Sequence, residues 1–173
     1  MLATMMVPAQ VVLIPQFILF KSIGWYDHPL WFPLWVPSFT GAPLATFLFR
    51  QYFTTMPTEL EDAGRIDGAN PFMIFWRIFL PLCKPIMATI AVLYFLATWN
   101  DLLGPIIYIN DPNKYTVAVG LALLGGLSGE GESFTDIPTL MAGTFVAVVP
   151  PVAIFFVAQN YFVRGVVLTG LKG

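Results

Sequence analysis

The residues with the types and spacing to do work concentrate between Arg50 and Lys84, where the chain reads RQYFTTMPTELEDAGRIDGANPFMIFWRIFLPLCK. Thr58 followed by Glu61 has the spacing of a capping box, in which a hydroxyl accepts from a free amide while a carboxylate reaches back. A short helix is therefore expected from Glu59, with Glu59, Glu61 and Asp62 near its positive end. Asp67-Gly68 is expected to close it, because glycine enters the left-handed conformation at little cost. Asn70-Pro71 reads as a new N-cap followed by proline at the first helical position. Phe72, Phe75 and Phe79 then fall on roughly one face of the second helix, and Leu80-Pro81 ends or kinks it. The chemistry implied is docking rather than covalent catalysis. Two readings stay open: a knuckle that seats on another protein, and an amphipathic helix lying on lipid. Surface-seeking helices carry a Lys/Arg-rich polar face, whereas this one is acidic with a single Arg65, which favours a protein partner.

A second set lies in apolar surroundings. Asp101, beside Trp99 and Asn100, is an ionisable group inside a hydrophobic run, and such residues face a cavity or a partner rather than hydrocarbon. It is expected at the interior or the outer mouth of a bundle, with direct contact to a solute as a narrower reading. Trp99 offers an aromatic face of the kind sugars stack on, or serves as an ordinary interface tryptophan. Pro150-Pro151 interrupts the longest apolar run, either as a plain kink or as the broken helix that marks substrate sites in transporters. His28 and Cys83 stand alone in sequence and read as structural. The G-x-x-x-x-G-K-[ST] phosphate loop is absent from the sequence, so the chain supplies no nucleotide site of that type. An integral-membrane enzyme is the alternative from another class, but paired His motifs, paired carboxylates within one span and a nucleophile–base arrangement are all missing.

The elements that must position these groups follow from composition. Of 173 residues 57% are hydrophobic and 10% charged, with a mean hydropathy of +0.76, far outside the soluble range. Eight Lys+Arg against ten Asp+Glu leave a net charge of −2, with no basic excess for nucleic acid. The single cysteine excludes an intrachain disulfide framework. Uncharged runs cover Met1–Phe20, Pro29–Phe49, Pro85–Asn100 resuming at Leu102–Asn110, and Ile137–Val163. About 20 apolar residues cross a bilayer as a helix, so four spans are expected, the third only if it accommodates Asp101. Arg50, Arg65, Arg77 and Lys84, with Arg164 and Lys172 of the tail, would share the cytoplasmic side, leaving Lys21 and Lys114 outside. Glu130, Glu132 and Asp136 then lie in an external loop over about 111–136, and Lys114–Leu127 reads as an interfacial helix. Trp25, Tyr26, Trp31, Tyr108 and Tyr115 fall near the expected boundaries, as an aromatic belt requires. Met1 opens an apolar stretch without a positive n-region, unlike a signal peptide.

ELEDAGRIDGA followed by IFLP closely resembles the cytoplasmic loop signature of binding-protein-dependent ABC transporter permeases: Glu-Ala-Ala, three residues, Gly, nine residues, Ile-x-Leu-Pro. Here it maps to Asp62-Ala63-Gly64, Gly68 and Ile78-Phe79-Leu80-Pro81 with both spacings kept. Asp62 stands in place of Glu, and Gly64 in place of the second Ala. ATMMVPAQVVLIPQF, TWNDLLGPIIYINDPNKYTVAVGL and NYFVRGVVLTGLKG resemble the carbohydrate branch of that family, similar to the maltose-type second permease. The resemblance implies an all-α integral-membrane fold: one transmembrane permease domain over 1–173, with about four spans and a cytoplasmic coupling helix–turn–helix at about 51–84. It implies an importer subunit that moves a sugar, polyol or oligosaccharide through the cytoplasmic (inner) membrane of a bacterium or archaeon. The implied partners are a second permease, two ATP-binding cassette ATPases, an extracytoplasmic solute-binding protein and the bilayer. The chain itself takes no cofactor, ATP being bound by the ATPases. Glu61, Asp62, Ala63, Gly64, Arg65, Asp67, Gly68, Ile78, Leu80 and Pro81 would couple to the ATPase. Trp99, Asn100, Asp101, Pro150 and Pro151 are candidates for the pathway. Family members have two further spans ahead of the point where this chain starts, so Met1 reads as an internal methionine of a longer protein, from a late start, a fragment or a nonfunctional remnant.

Overall fold

The computed structural model describes residues 5–26, 28, 31–127 and 137–167, and every regular element among them is helical. The expectations placed on Met1, Glu130, Glu132, Asp136, Lys172 and the external loop beyond Leu127 lie outside the described residues. The chain divides into two compact units: one holds Pro43–Tyr94 and Ile154–Gly173 with Met1–Leu2, the other Ala3–Ala42 and Phe95–Ala153.

The first unit contains the charged stretch. Helix α4 (Pro43–Thr54) leads to α5 (Glu59–Ile66) and α6 (Pro71–Ile74). A π-helical turn, Phe75–Phe79, then runs into the short α7 (Leu80–Leu82). Helix α8 (Lys84–Trp99) starts after a bend of 67° at Cys83. The bend falls between Pro81 and Pro85, neither of which has an N–H to continue the ladder. The Tyr52 hydroxyl donates to the Leu82 carbonyl at 2.9 Å, satisfying a backbone group at the corner. Cys83 and Ile74 are among the buried residues of this unit.

The second unit begins with α1 (Ala9–Ser22), followed by α2 (Phe32–Trp35) and α3 (Pro37–Thr40). After α8 come α9 (Leu103–Tyr108) and α10 (Val117–Ala122), the latter continuing into a π-helical turn, Leu123–Leu127. Helix α11 (Ile137–Val167) carries Pro150 and Pro151 inside it. Tyr108, Ile109 and Val119 are buried here. Of the stretch Lys114–Leu127, the helix begins at Val117. Helix α1 ends with Gly24 at φ +76° and with the Trp25 N–H bonded to the Phe20 carbonyl. That turn stacks Trp25 on Phe20 at 5.6 Å, the apolar contact such helix ends commonly make.

The apolar runs give an expectation of about four spans. Among the described residues two helical stretches are long and apolar enough to cross a membrane, Phe32–Thr54 and Ile137–Gln159, or three if the bent pair Pro71–Leu82 and Lys84–Trp99 is one span. The first apolar run yields only the 14 residues of α1, a length of roughly 21 Å against the ~30 Å of a bilayer core. Pro8 stands extended at its start, and Pro15 removes a bond inside it. The third run does not accommodate Asp101 within a helix: α8 stops at Trp99 and the chain restarts at Leu103.

Candidate functional site

The knuckle forms where the sequence placed it. Helix α5 starts at Glu59 with Glu59, Glu61 and Asp62 in its first turn. Its cap differs from expectation. Thr58 takes helical angles (φ −65°, ψ −25°) and makes no side-chain cap, because a capping hydroxyl requires an extended N-cap residue. Glu61, released from the box, pairs with Arg65 one turn on, in the favourable acid-before-base order. At the other end the Gly68 N–H bonds the Arg65 carbonyl, and the Ala69 N–H bonds the Gly64 carbonyl, both at 3.0 Å. These are the two bonds of a Schellman closure, and Gly68 at φ +78° supplies the left-handed residue it needs. Asn70, extended at φ −74° and ψ 161°, accepts from the Met73 N–H at 2.8 Å and opens α6 with Pro71 behind it.

The two helices of the knuckle pack through Gly64. It is buried, and a Cβ added there would lie 3.0 Å from Ile78 Cδ1 and 3.1 Å from Ile74 Cγ1. Gly64 and Ile78 therefore pack the two helices together, while Asp62, Ala63, Arg65, Asp67, Gly68 and Pro81 are exposed. Glu61 and Leu80 are half-buried.

The aromatic face also differs. The π turn holds one extra residue per turn, so Phe79 points to Phe53 of α4 at 6.0 Å. Phe72 and Phe75 gather instead around Trp76, at 6.0 and 5.9 Å. Sequence reasoning missed Ile66, which is 86% exposed at the tip of α5, and Phe72 is 72% exposed nearby. The signal was present: an isoleucine between Arg65 and Asp67 has no packing reason to sit in a charged run. Acidic side chains around exposed apolar ones form a surface suited to a protein groove.

The expected pathway residues separate into two places. Asp101 lies in the break between α8 and α9 and accepts from the Gly104 N–H at 3.2 Å. Gly104 permits this approach, since a Cβ there would fall 2.5 Å from Asp101 Oδ2. Asp101 lines a recess of about 260 Å³ together with Gln10, Gln16, Leu34, Gly104 and Tyr108. No ion pair joins Asp101 to a cation among the described residues, and the buried Tyr108 hydroxyl has no hydrogen-bond partner. Gln10 and Gln16 were passed over in the sequence, although two amides in an uncharged run are a usable signal. Trp99 does not line this recess. Its indole N–H donates to the Ala147 carbonyl of α11 at 3.1 Å, and its ring stacks on Phe95 at 5.5 Å. Asn100 turns back to donate to the Leu96 carbonyl. Pro150 and Pro151 are half-buried. Among the described residues no three His, Cys, Asp or Glu side chains group as metal ligands.

Residues 1–168 match the family described as the inner membrane component of binding-protein-dependent transport systems. The arabinooligosaccharides transport system permease protein of Halalkalibacterium halodurans is 36% identical over 175 residues, covering 99% of this chain and 59% of the relative. An alpha-glucoside transport system permease protein of Rhizobium meliloti is 35% identical, over 98% of this chain and 44% of its own. An sn-glycerol-3-phosphate transport system permease protein of Escherichia coli is 37% identical, over 95% and 56%. The chain thus spans about half the length of these relatives, all of which are named as transport permeases. The crystal structure of a bacterial ABC transporter involved in import of the acidic polysaccharide alginate superposes with a TM-score of 0.68 at 25% identity, over 86% of this chain and 55% of that one.

Proposed function

Because this chain belongs to the family of binding-protein-dependent transport system inner membrane components, we propose that it works as a permease subunit of an ATP-driven importer. Its cargo is a sugar or a related polyol or oligosaccharide handed over by an extracytoplasmic binding protein. It sits in the cytoplasmic membrane of a bacterium or archaeon, beside a second permease, and binds no nucleotide itself. Two separate ATPase subunits bind ATP and drive it through the knuckle.

The observation that carries this reading is the α5–α6 pair: an acidic helix closed by Gly68, locked to its partner helix at Gly64, with Asp62, Ala63, Arg65 and Ile66 exposed. Such a body transmits a push as one piece. Helices bend or slide where packing is loose, whereas interdigitated cores resist deformation. Glu61, Asp62, Ala63, Arg65, Asp67 and Gly68 form the contact surface, with Ile66 as an apolar plug at its tip. Gly64, Ile78 and Leu80 hold the shape, and Pro81 begins the 67° elbow into α8.

The relatives, at 35–37% identity, are named for arabinooligosaccharides, alpha-glucosides and sn-glycerol-3-phosphate. The shared chemistry of those names is a hydroxyl-rich solute. The recess at Asp101 offers a carboxylate and two amides with hydrogen-bonding capacity left to use, and we place a step of the pathway there.

The decisive test is crosslinking in intact cells from Asp62→Cys and Ile66→Cys. Adducts with an ATPase subunit are expected from both positions. Capture of phospholipid alone, with no ATPase adduct, overturns the assignment in favour of a helix lying on the membrane.

A further inference from the structure

We propose that Trp99 is a positioning residue: its indole N–H takes the place of the backbone amide that Pro151 lacks, and so ties the proline step of α11 to the last turn of α8. In an α-helix each carbonyl accepts from the amide four residues later. For Val146 and Ala147 of α11 those residues are Pro150 and Pro151, which have no N–H. Each carbonyl lacks its helical donor in a helix whose described residues before and after the prolines include the highly exposed apolar Phe145 and Val157. Within hydrocarbon a free carbonyl is costly, and neighbouring helices must answer it. The indole nitrogen answers at Ala147, 3.1 Å away.

Three features make the indole suited to this. It donates only, so it has no competing acceptor role. Stacking on Phe95 at an interplanar angle of 24° holds the ring. The end of α8 is itself secured, with the Asn100 side chain on the Leu96 carbonyl at 2.7 Å and the Asp101 N–H on the Thr98 carbonyl at 3.2 Å. The end of α8 therefore cannot withdraw from the proline step of α11 without stranding the Ala147 carbonyl. During any conformational cycle the two move together. This inference depends on neither the cargo nor the ATPase assigned above.

The test is hydrogen exchange of α11 in lipid nanodiscs, using the native chain, Trp99→Phe, Pro151→Ala and the double variant. A hydrogen bond of ordinary net worth sets an expected acceleration of about 3- to 10-fold at the amides flanking Pro150-Pro151 in Trp99→Phe. Pro151→Ala restores an amide opposite Ala147, so adding Trp99→Phe to it should accelerate exchange little. Equal acceleration in both backgrounds would mean that the ring only packs, and overturns the proposal, as does no acceleration in the native background. Should Trp99→Phe fail to fold, β-(3-benzothienyl)alanine at position 99 keeps the ring shape and removes the donor. The same acceleration is then expected, and native exchange refutes the inference.

Discussion

Gly64 is the position where helix propensity and packing oppose each other most directly. In an isolated helix Gly→Ala is favourable by about 1 kcal/mol. In this protein the new methyl would stand 3.0 Å from Ile78 Cδ1 and 3.1 Å from Ile74 Cγ1, both too close without adjustment. Overpacking a methyl-sized group costs about 1–3 kcal/mol. The cost here belongs at the lower end, because Ile78 Cδ1 is the rotatable tip of a half-buried side chain. Ile74 Cγ1 adjoins the backbone and is 3% exposed, so α6 itself must yield by a few tenths of an ångström. The two terms nearly cancel, and Gly64→Ala should alter local stability by less than ~0.5 kcal/mol. Ile78→Val deletes the nearer obstacle. In that background Gly64→Ala should become roughly 0.5 kcal/mol more favourable than in the native one. Hydrogen exchange of the α5 amides in nanodiscs reads both values as opening free energies. A full gain of about 1 kcal/mol in the native background, or the same value in both, would refute the packing argument.

Three further outcomes follow from the same region and from the turn at Asp111. Gly68→Asp forces a non-glycine residue to φ +78°, at a cost of about 1–2 kcal/mol, and should abolish stimulation of the partner ATPase in reconstituted vesicles while membrane insertion persists; unchanged stimulation contradicts the coupling role. Asn70→Ala removes the acceptor of the Met73 N–H and should cost about 1 kcal/mol, seen as faster exchange of that amide with α5 little affected. Asp111 accepts from the Asn113 N–H at 3.0 Å and pairs with Lys114 at 3.2 Å. The amide first, then the lysine, holds its carboxyl below the usual range. A depressed folded value means that the stabilisation is present above the ordinary carboxylate pKa and is lost as pH falls through the lower one. NMR titration of the Asp111 side chain should therefore show a midpoint below that of an unstructured peptide, moving up to it in Lys114→Ala with Asn113→Pro.

The knuckle was legible in the sequence because its signals are local. Gly68 and Asn70 each act on a backbone within four residues of themselves, and both did what their types require. Thr58 misled because a capping box is a statement about side chains that presupposes an extended N-cap, and the chain entering from Pro57 was already helical there. The aromatic face misled for a related reason. The spacing of Phe72, Phe75 and Phe79 assumes 3.6 residues per turn, and the π turn at Phe75–Phe79 breaks that assumption just where Pro81 removes a donor. Hydropathy sums apolar residues without asking whether a helix runs through them. Pro8 stands extended at the start of α1, and Asp101 finds a backbone amide to cap rather than a place inside α8.

The pathway set shows where reading a sequence stops in principle. Pro151 announces, from the sequence alone, that the carbonyl of Ala147 has lost its helical donor. Trp99 announces an indole N–H that needs an acceptor when it leaves water. Both statements are local and both hold, yet Trp99 and Ala147 stand 48 positions apart. Any buried donor could have met that carbonyl. Asn100 is the neighbour of Trp99 and carries two N–H groups, but it is spent on its own helix at Leu96. The indole, stacked on the ring of Phe95, is the donor that reaches α11. Composition and motif find the need and the means separately, and only the packing of α8 against α11 decides that each satisfies the other.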